Sequence, residues 1–229
     1  ASKLREEVDE AEENMVDVRR DDRTIGDFNI PAQIFVEPII HLTGVKVILD
    51  HEPHLAKVDI TLRKREHMLI AGSNGIGKST LLRTLAEGKD PDAVITEGVK
   101  VGYYRQDFSG LDFEQTAYDS LAEVMEVPDN ETLRRTGARF LLNGDALATK
   151  IGALSEGQKG LLCFARFVLQ EPGLLIFDEP TNHINFRHLP VIARALNNYE
   201  GCLLVVSHAE DFVKQIRFDS TLDLATLIK

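Results

Sequence analysis

The chain has 229 residues, 43% of them hydrophobic and 28% charged, and a formal net charge of −11. That apolar content supports a sizeable core and predicts one large domain, or a domain with a subdomain. No run approaches the ~18 apolar residues that cross a membrane, no signal-peptide pattern opens the chain, and the acidic balance argues against a broad basic face for nucleic acid, so direct DNA binding is not expected.

Residues 1–30 differ in character from the rest of the chain. They are rich in helix formers, and Leu4, Val8, Ala11, Met15 and Val18 fall at helical spacing. The pattern predicts a charged linker helix leaning on something else, its helical pattern ended by Arg19-Arg20-Asp21-Asp22-Arg23, with a disordered acidic tail as the alternative. Pro31 marks an extended entry into a domain taken as residues 31–229. Strand-like segments come next at 34–36, 39–42, 45–49 and 56–62. In the last, Val58, Ile60 and Leu62 alternate with polar neighbours, as in a half-buried antiparallel strand. The apolar run 68–71 predicts a buried strand, and 81–86 a helix ending near Gly88. Between them lies Gly72-Ser73-Asn74-Gly75-Ile76-Gly77-Lys78-Ser79-Thr80, a full match to G-x-x-x-x-G-K-[ST] in the strand–loop–helix context which that motif needs.

Two strands, 93–97 and 99–104, are expected to turn at Gly98. Helices at 113–127 and 131–142, separated by Pro128-Asp129-Asn130, predict a small helical subdomain over about residues 111–153. Ser155 is placed to cap a helix running to Pro172, with Gln158 as its reciprocal partner. Leu174-Leu175-Ile176-Phe177 ends in Asp178-Glu179. It predicts a parallel strand buried on both faces, with acids at the carboxyl end where open α/β sheets bind ligands. A helix at 187–198, a buried strand at 202–206 ending at Ser207-His208, a short helix and a last strand within 221–228 complete an α/β chain. Cys163 and Cys202 stand in apolar surroundings without metal-ligand spacing, and read as buried, reduced thiols of a cytoplasmic protein.

These pieces carry a chemistry. Glycines at 72, 75 and 77, with Asn74 among them, let backbone N–H groups turn inward around a phosphate, and the adjoining helix adds its positive end. Lys78 can reach β- and γ-phosphates, Ser79 can ligate Mg²⁺, and Thr80 stands beside them. Asp178, at the end of an apolar strand, is the expected second metal ligand; Mg²⁺ favours one or two carboxylates, waters and phosphate oxygens. Glu179 can orient or deprotonate an attacking water, or be a loop acid paired with a base. His208 can hydrogen-bond the γ-phosphate, or be structural. Gln106 can sit between metal and water, or be a plain surface amide. Ser155, Gly157 and Gln158 at a helix start form a second anion site. With two phosphate-facing motifs and one strand-borne metal acid, the second is expected to serve a nucleotide held by another domain.

Residues 72–80, Gln106, Leu154-Ser155-Glu156-Gly157-Gln158, residues 174–180 and His208 resemble, in order, the Walker A, Q-loop, signature, Walker B and switch histidine of an ATP-binding-cassette (ABC) nucleotide-binding domain. Thr181-Asn182-His183 after Glu179-Pro180 resembles the ABC-F class, soluble proteins with two cassettes in one chain and no membrane domain. Tyr103-Tyr104-Arg105-Gln106-Asp107 and Arg139-Phe140-Leu141-Leu142-Asn143-Gly144-Asp145 are similar to it too. The likeness covers about residues 34–218. It implies an ABC-type P-loop ATPase core with an antiparallel β subdomain and a small helical subdomain, ATP and Mg²⁺ as cofactors, and action on the ribosome. It also implies a second cassette, in the same full-length chain or in a head-to-tail homodimer, with each signature covering the nucleotide of the other. Residues 1–30 then resemble the end of an interdomain linker and the remainder a second cassette, without the arm insertion usual in the first.

Three positions depart from the family. The place of the adenine-stacking aromatic falls near Leu49, Glu156 replaces the first of two signature glycines, and Asn185 stands where an acid is usual. A carboxylate at 156 is unfavourable near a γ-phosphate unless it points away. These departures lower the expected turnover more than binding. Two readings result: a Mg-ATPase driving a ribosome-bound cycle, and an ATP-dependent dimerising clamp with little turnover. The ATPase subunit of a membrane transporter is disfavoured by Thr181-Asn182-His183 and the linker-like front end, and a chromosome-maintenance head by the absence of coiled-coil heptads.

Overall fold

A computed structural model describes residues 23–228. Strands β1 (Ile40–Leu49), β2 (Glu52–Leu62) and β4 (Ala93–Ile95) form an antiparallel sheet in the order β2-β1-β4. Strands β3 (His67–Ala71), β5 (Val101–Tyr104), β6 (Leu174–Asp178), β7 (Cys202–Val206) and β8 (Ser220–Asp223) form a parallel sheet in the order β5-β6-β7-β3-β8. Successive side chains of a strand point to opposite faces. Leu175, Phe177, Leu203 and Val205 therefore enter one core, and Leu174, Ile176, Cys202, Leu204 and Val206 the other. Both faces are covered, so every residue of β6 and β7 is buried, which is why the sequence shows unbroken apolar runs there.

The helices are α1 (Lys78–Glu87), α2 (Ala117–Ala122), α3 (Asn130–Arg139), α4 (Gly144–Ala148), α5 (Glu156–Gln170), α6 (Leu189–Asn198) and α7 (Glu210–Val213). Gly88 closes α1 in the left-handed region at φ 63°, its N–H donating to the carbonyls of Thr84 and Leu85. Arg166 of α5 donates to Ser120 and Glu123, tying the helical subdomain to the long helix. Among the described residues no helix is long and apolar enough to cross a membrane.

Several elements differ from expectation. Residues 34–36 form no strand; Ile34 and Val36 are 93% and 87% exposed, and the segment is held instead by Gln33, which bonds Pro172, Gly98 and Lys100. The segments 39–42 and 45–49 are one strand, broken in register between Leu42 and Gly44. That irregularity shifts the alternation and makes one strand read as two. The strands on either side of Gly98 (φ 86°) do not pair with one another: β4 joins β1, and β5 joins β6 in the other sheet. The helix expected at 113–127 is confined to α2. Before it, the carbonyls of Phe113 and Gln115 accept from Gly152 and Ile151, and the Gln115 N–H donates to Asp112 O, which holds that backbone in a turn until Thr116 caps the helix. The last strand is shorter than expected and ends in a 3-10 turn, Leu224–Thr226.

The linker helix expected within residues 1–30, its pattern ending at 19–23, lies outside the described residues. The described part of that span, 23–30, is extended and packed as a strap across the domain. Ile25, Phe28 and Ile30 are buried, and the Phe28 ring meets Phe140 at 4.8 Å and Phe164 at 6.1 Å, edge to face. Arg194 donates to the Asp27 carboxylate (2.7 Å), Arg139 to the Asp27 carbonyl (2.8 Å), and the Ile25 N–H to His188 Nδ1 (3.3 Å). These residues are part of the domain's packing, not a segment standing apart from residue 31 onward. Three apolar side chains in eight residues are too few to show a period.

Candidate functional site

The glycine loop joins β3 to α1. Gly72, Gly75 and Gly77 take φ values of 139°, 79° and 113°, a region closed to most side chains. At Gly77 a Cβ would also stand 3.0 Å from the Lys46 carbonyl oxygen. The Ile48 N–H donates to Ile76 O (2.9 Å), so the antiparallel sheet pins the loop from behind. Lys78 is buried, and its ammonium donates to the carbonyls of Gly72 (2.7 Å) and Ser73 (2.9 Å). That fixes a positive charge inside the turn of the loop. No acid stands in the first turn of α1 to compete with an incoming anion. A cleft of about 490 Å³ opens here, walled by Asn74, Gly75, Gly77, Lys78, Ser79 and Thr80 on one side and by Gln106, Glu179, Asn182 and His208 on the other.

Two acids stand at the end of β6, Glu179 on this cleft and Asp178 on an adjoining one that also borders Ser79 and Gln106. Ser79 Oγ donates to Asp178 Oδ1 at 2.9 Å. Burial pushes the Asp178 carboxyl up, and the Ser79 hydrogen bond opposes that. The hydroxyl, the carboxylate and the Gln106 amide are hard oxygen donors, which fits Mg²⁺. Among the described residues no group of three or more His, Cys, Asp or Glu could hold a metal by itself. A cation here would complete its shell with water and phosphate oxygens, as Mg²⁺ prefers. Glu179 occupies the left-handed region at φ 50°, unusual for a side chain of its kind. Its N–H donates to Val206 O (2.9 Å), Oε2 accepts from the His208 N–H (3.1 Å), and Oε1 lies 3.3 Å from His208 Nε2. Two residues expected separately from the ends of two strands therefore form one unit. A carboxylate so held can accept a proton from water.

Ser155 caps α5 in a complete capping box: the Gln158 N–H donates to Ser155 Oγ (3.2 Å) and the Ser155 N–H to Gln158 Oε1 (2.9 Å). Ser155, Gly157 and Gln158 do not border the loop's cleft. They open on a separate cavity of about 520 Å³, shared with Arg23, Asn143, Asn185 and His188. The structure thus keeps the two phosphate-facing motifs of one chain apart. Asn185 accepts from the Arg187 N–H (3.0 Å) and turns its own loop. Leu49, 36% exposed, does not border the cleft; Ile48, the preceding residue, does. The aliphatic wall at the expected base position is therefore Ile48, on the opposite face of the strand.

One linkage carried no sequence signal. His183 Nδ1 lies 2.8 Å from Glu156 Oε2, and its Nε2 lies 3.0 Å from the carbonyl oxygen of Gln106. Glu156 is 27 residues away and Gln106 is 77 residues away, so no spacing rule could have joined them.

A family model described as ABC transporter matches residues 55–182, more than half of the chain. ATP-binding protein YdiF of Bacillus subtilis (strain 168) is 39% identical over 168 residues, which are 72% of this chain and 26% of that protein. ATP-binding cassette sub-family F member 3 of Homo sapiens is 30% identical over 187 residues, 80% of this chain and 26% of that one. The chain spans only about a quarter of the length of these curated relatives. A solved structure described as a metal-chelate type ABC transporter in an inward-facing conformation has the same fold, with a TM-score of 0.64 at 21% identity over 82% of this chain and 80% of its own. The chain belongs to the ABC transporter family, in which it is an ATP-binding cassette.

Proposed function

We propose that the chain is an ABC-F cassette that binds and hydrolyses Mg-ATP and closes on a second cassette, in a cytoplasmic, ribosome-associated cycle. The observation that carries this is the run Glu179-Pro180-Thr181-Asn182-His183, with Glu179 and Asn182 on the wall of the cleft and His208 on the Glu179 carboxylate. The relative named as a sub-family F member supports the class, and the ribosome comes from the family resemblance. The likeness also supports reading the chain as the second cassette of a longer protein, preceded by the end of a linker.

The roles follow from position. The N–H groups of the loop and Lys78 hold the phosphates. Ser79, Gln106 and Asp178 would hold Mg²⁺, which when bound neutralises phosphate charge. Glu179 takes the proton of the attacking water, and the half-exposed His208 ring, 3.3 Å from that carboxylate, would hydrogen-bond the terminal phosphate. Ser155, Gly157 and Gln158, opening away from this chain's own cleft, cover nucleotide on the second cassette. A second reading, a clamp with little turnover, is favoured by Glu156 in the signature and by Asn185 in place of an acid.

Light scattering with Mg-ATP tests the reading on the native chain and on Glu179→Gln. The Gln variant is expected to become a dimer, and native turnover to rise with protein concentration and fall about 10²-fold or more in the variant. The trapped dimer should co-sediment with ribosomes. A chain that turns over at a full, concentration-independent rate would contradict two-site closure. A Gln variant that binds ATP yet stays monomeric would mean that a different cassette is the partner.

A further inference from the structure

Three elements meet beside the cleft: the exit of β5 at Gln106, the loop after β6 at His183, and the first turn of α5 at Glu156. We propose that Glu156 and His183 are positioning residues, which hold the Gln106 main chain from the signature turn and so join the two phosphate-facing motifs within one chain. The consequence for turnover rests on the two-cassette reading; the link itself does not.

The geometry is that of a rigid spacer. The Gln106 carbonyl and the Glu156 carboxylate can only accept, so both contacts are made together by the doubly protonated ring, Nε2–H donating to Gln106 O (3.0 Å) and Nδ1–H to Glu156 Oε2 (2.8 Å). The imidazole is only 21% exposed and lies against the Phe108 ring, 5.2 Å between centroids. Phe108 is itself buried and packs edge-on to Tyr104 at 5.7 Å, so the imidazole rests on a ring that belongs to the core. Phe108 also sits at φ 56°, two residues after Gln106. A phenylalanine in the left-handed region persists only where its surroundings over-determine it. Within the loop, the Phe108 N–H donates to Arg105 O (3.1 Å), and the Leu111 N–H donates to Phe108 O (2.9 Å). The His183 bridge is the tie from outside.

The same bridge answers the objection to a carboxylate in the signature. Glu156 pairs with His183 and does not border the cavity onto which Ser155, Gly157 and Gln158 open. The loop also packs directly on that turn: a Cβ on Gly157 would lie 3.7 Å from His183 O. An anion arriving at the signature would push on Glu156, and through His183 on Gln106. A shift of Gln106 would travel back along the same path.

Hydrogen exchange of the amides at 105–111, in the full chain without nucleotide, tests the link in Glu156→Ala, His183→Ala, Glu156→Gln and the double Ala variant. Each single Ala variant should exchange about three- to tenfold faster, the effect of losing a half-exposed charged hydrogen bond. The double should be no faster than the singles, and Glu156→Gln, whose amide oxygen still accepts but which loses the charge, should fall between the native chain and Glu156→Ala. With Mg-ATP, kcat should fall by the same factor in the Ala variants, with KM within about twofold. Unchanged exchange, equal effects of Gln and Ala at 156, or additive effects in the double would overturn the proposal. Glu156 is exposed, so its two variants decide the matter even if His183→Ala folds poorly. A chain with no turnover at all would count against the ATPase reading while leaving the exchange result to decide the bridge.

Discussion

Gly201 shows how tightly a single residue can be specified away from the cleft. A Cβ there would stand 2.1 Å from Tyr199 Oη and 2.2 Å from its Cζ. Tyr199 cannot yield easily: its hydroxyl donates to Pro172 O (2.6 Å) and its carbonyl receives His67 Nε2 (3.1 Å). Gly201→Ala should cost about 1–3 kcal/mol, the range for overpacking, in chemical denaturation followed by circular dichroism. Nothing in the sequence around Asn198-Tyr199-Glu200-Gly201 announces this, because the clash depends on where one ring lies. The glycine loop is the opposite case: nine consecutive residues carry a phosphate cradle in their own order, so the motif could be read directly. The base position lay between these extremes. The strand was legible, but a one-residue offset in an alternating element exchanges the faces, and it is Ile48, next to Leu49, that borders the cleft.

Elements were legible where one physical cause dominated. Burial on both faces made β6 and β7 plain, and the Ser155–Gln158 pair marked the start of α5. They were misread where tertiary contacts took over, as in the delayed start of α2, and the packing of the strap at 23–30 left no signal in the sequence. That strap makes a prediction of its own. Phe28 fills a gap between the rings of Phe140 and Phe164, so Phe28→Ala should lose about 3–5 kcal/mol in a denaturant titration. Ile34→Ala, a few residues on but 93% exposed, should change stability by less than about 0.5 kcal/mol. Equal, small effects would show that the strap merely lies on the surface.

At the scale of the whole molecule, stability should decline on mild acidification. His67 and His188 are both buried, and burial lowers the pKa of each below the ordinary value of 6.5. His67 donates through Nε2 to Tyr199 O, which leaves Nδ1 buried without a partner, and His188 Nδ1 accepts from Ile25. A proton on either Nδ1 would be poorly accommodated in the folded state. The unfolded chain gains protons first as the pH falls past 6.5, so the contribution is complete above that value and is lost as the pH drops through the lowered folded values. Melting temperatures followed from neutral pH downward should therefore fall before carboxylates titrate. His188→Asn, which keeps an acceptor but cannot take up a proton, should flatten part of that slope; an unchanged slope would remove His188 from the account.

The two thiols have a practical consequence. Cys163 belongs to one core and Cys202 to the other, and both are free. Burial pushes Cys163 up to about 12 and raises Cys202 as well. A covered thiol that keeps its proton is a poor target for maleimides. The native molecule is in effect a blank background for dyes. A single cysteine introduced at exposed Val127 would carry one fluorophore at a known place, so that distances between paired cassettes could be followed without removing any native side chain from the core.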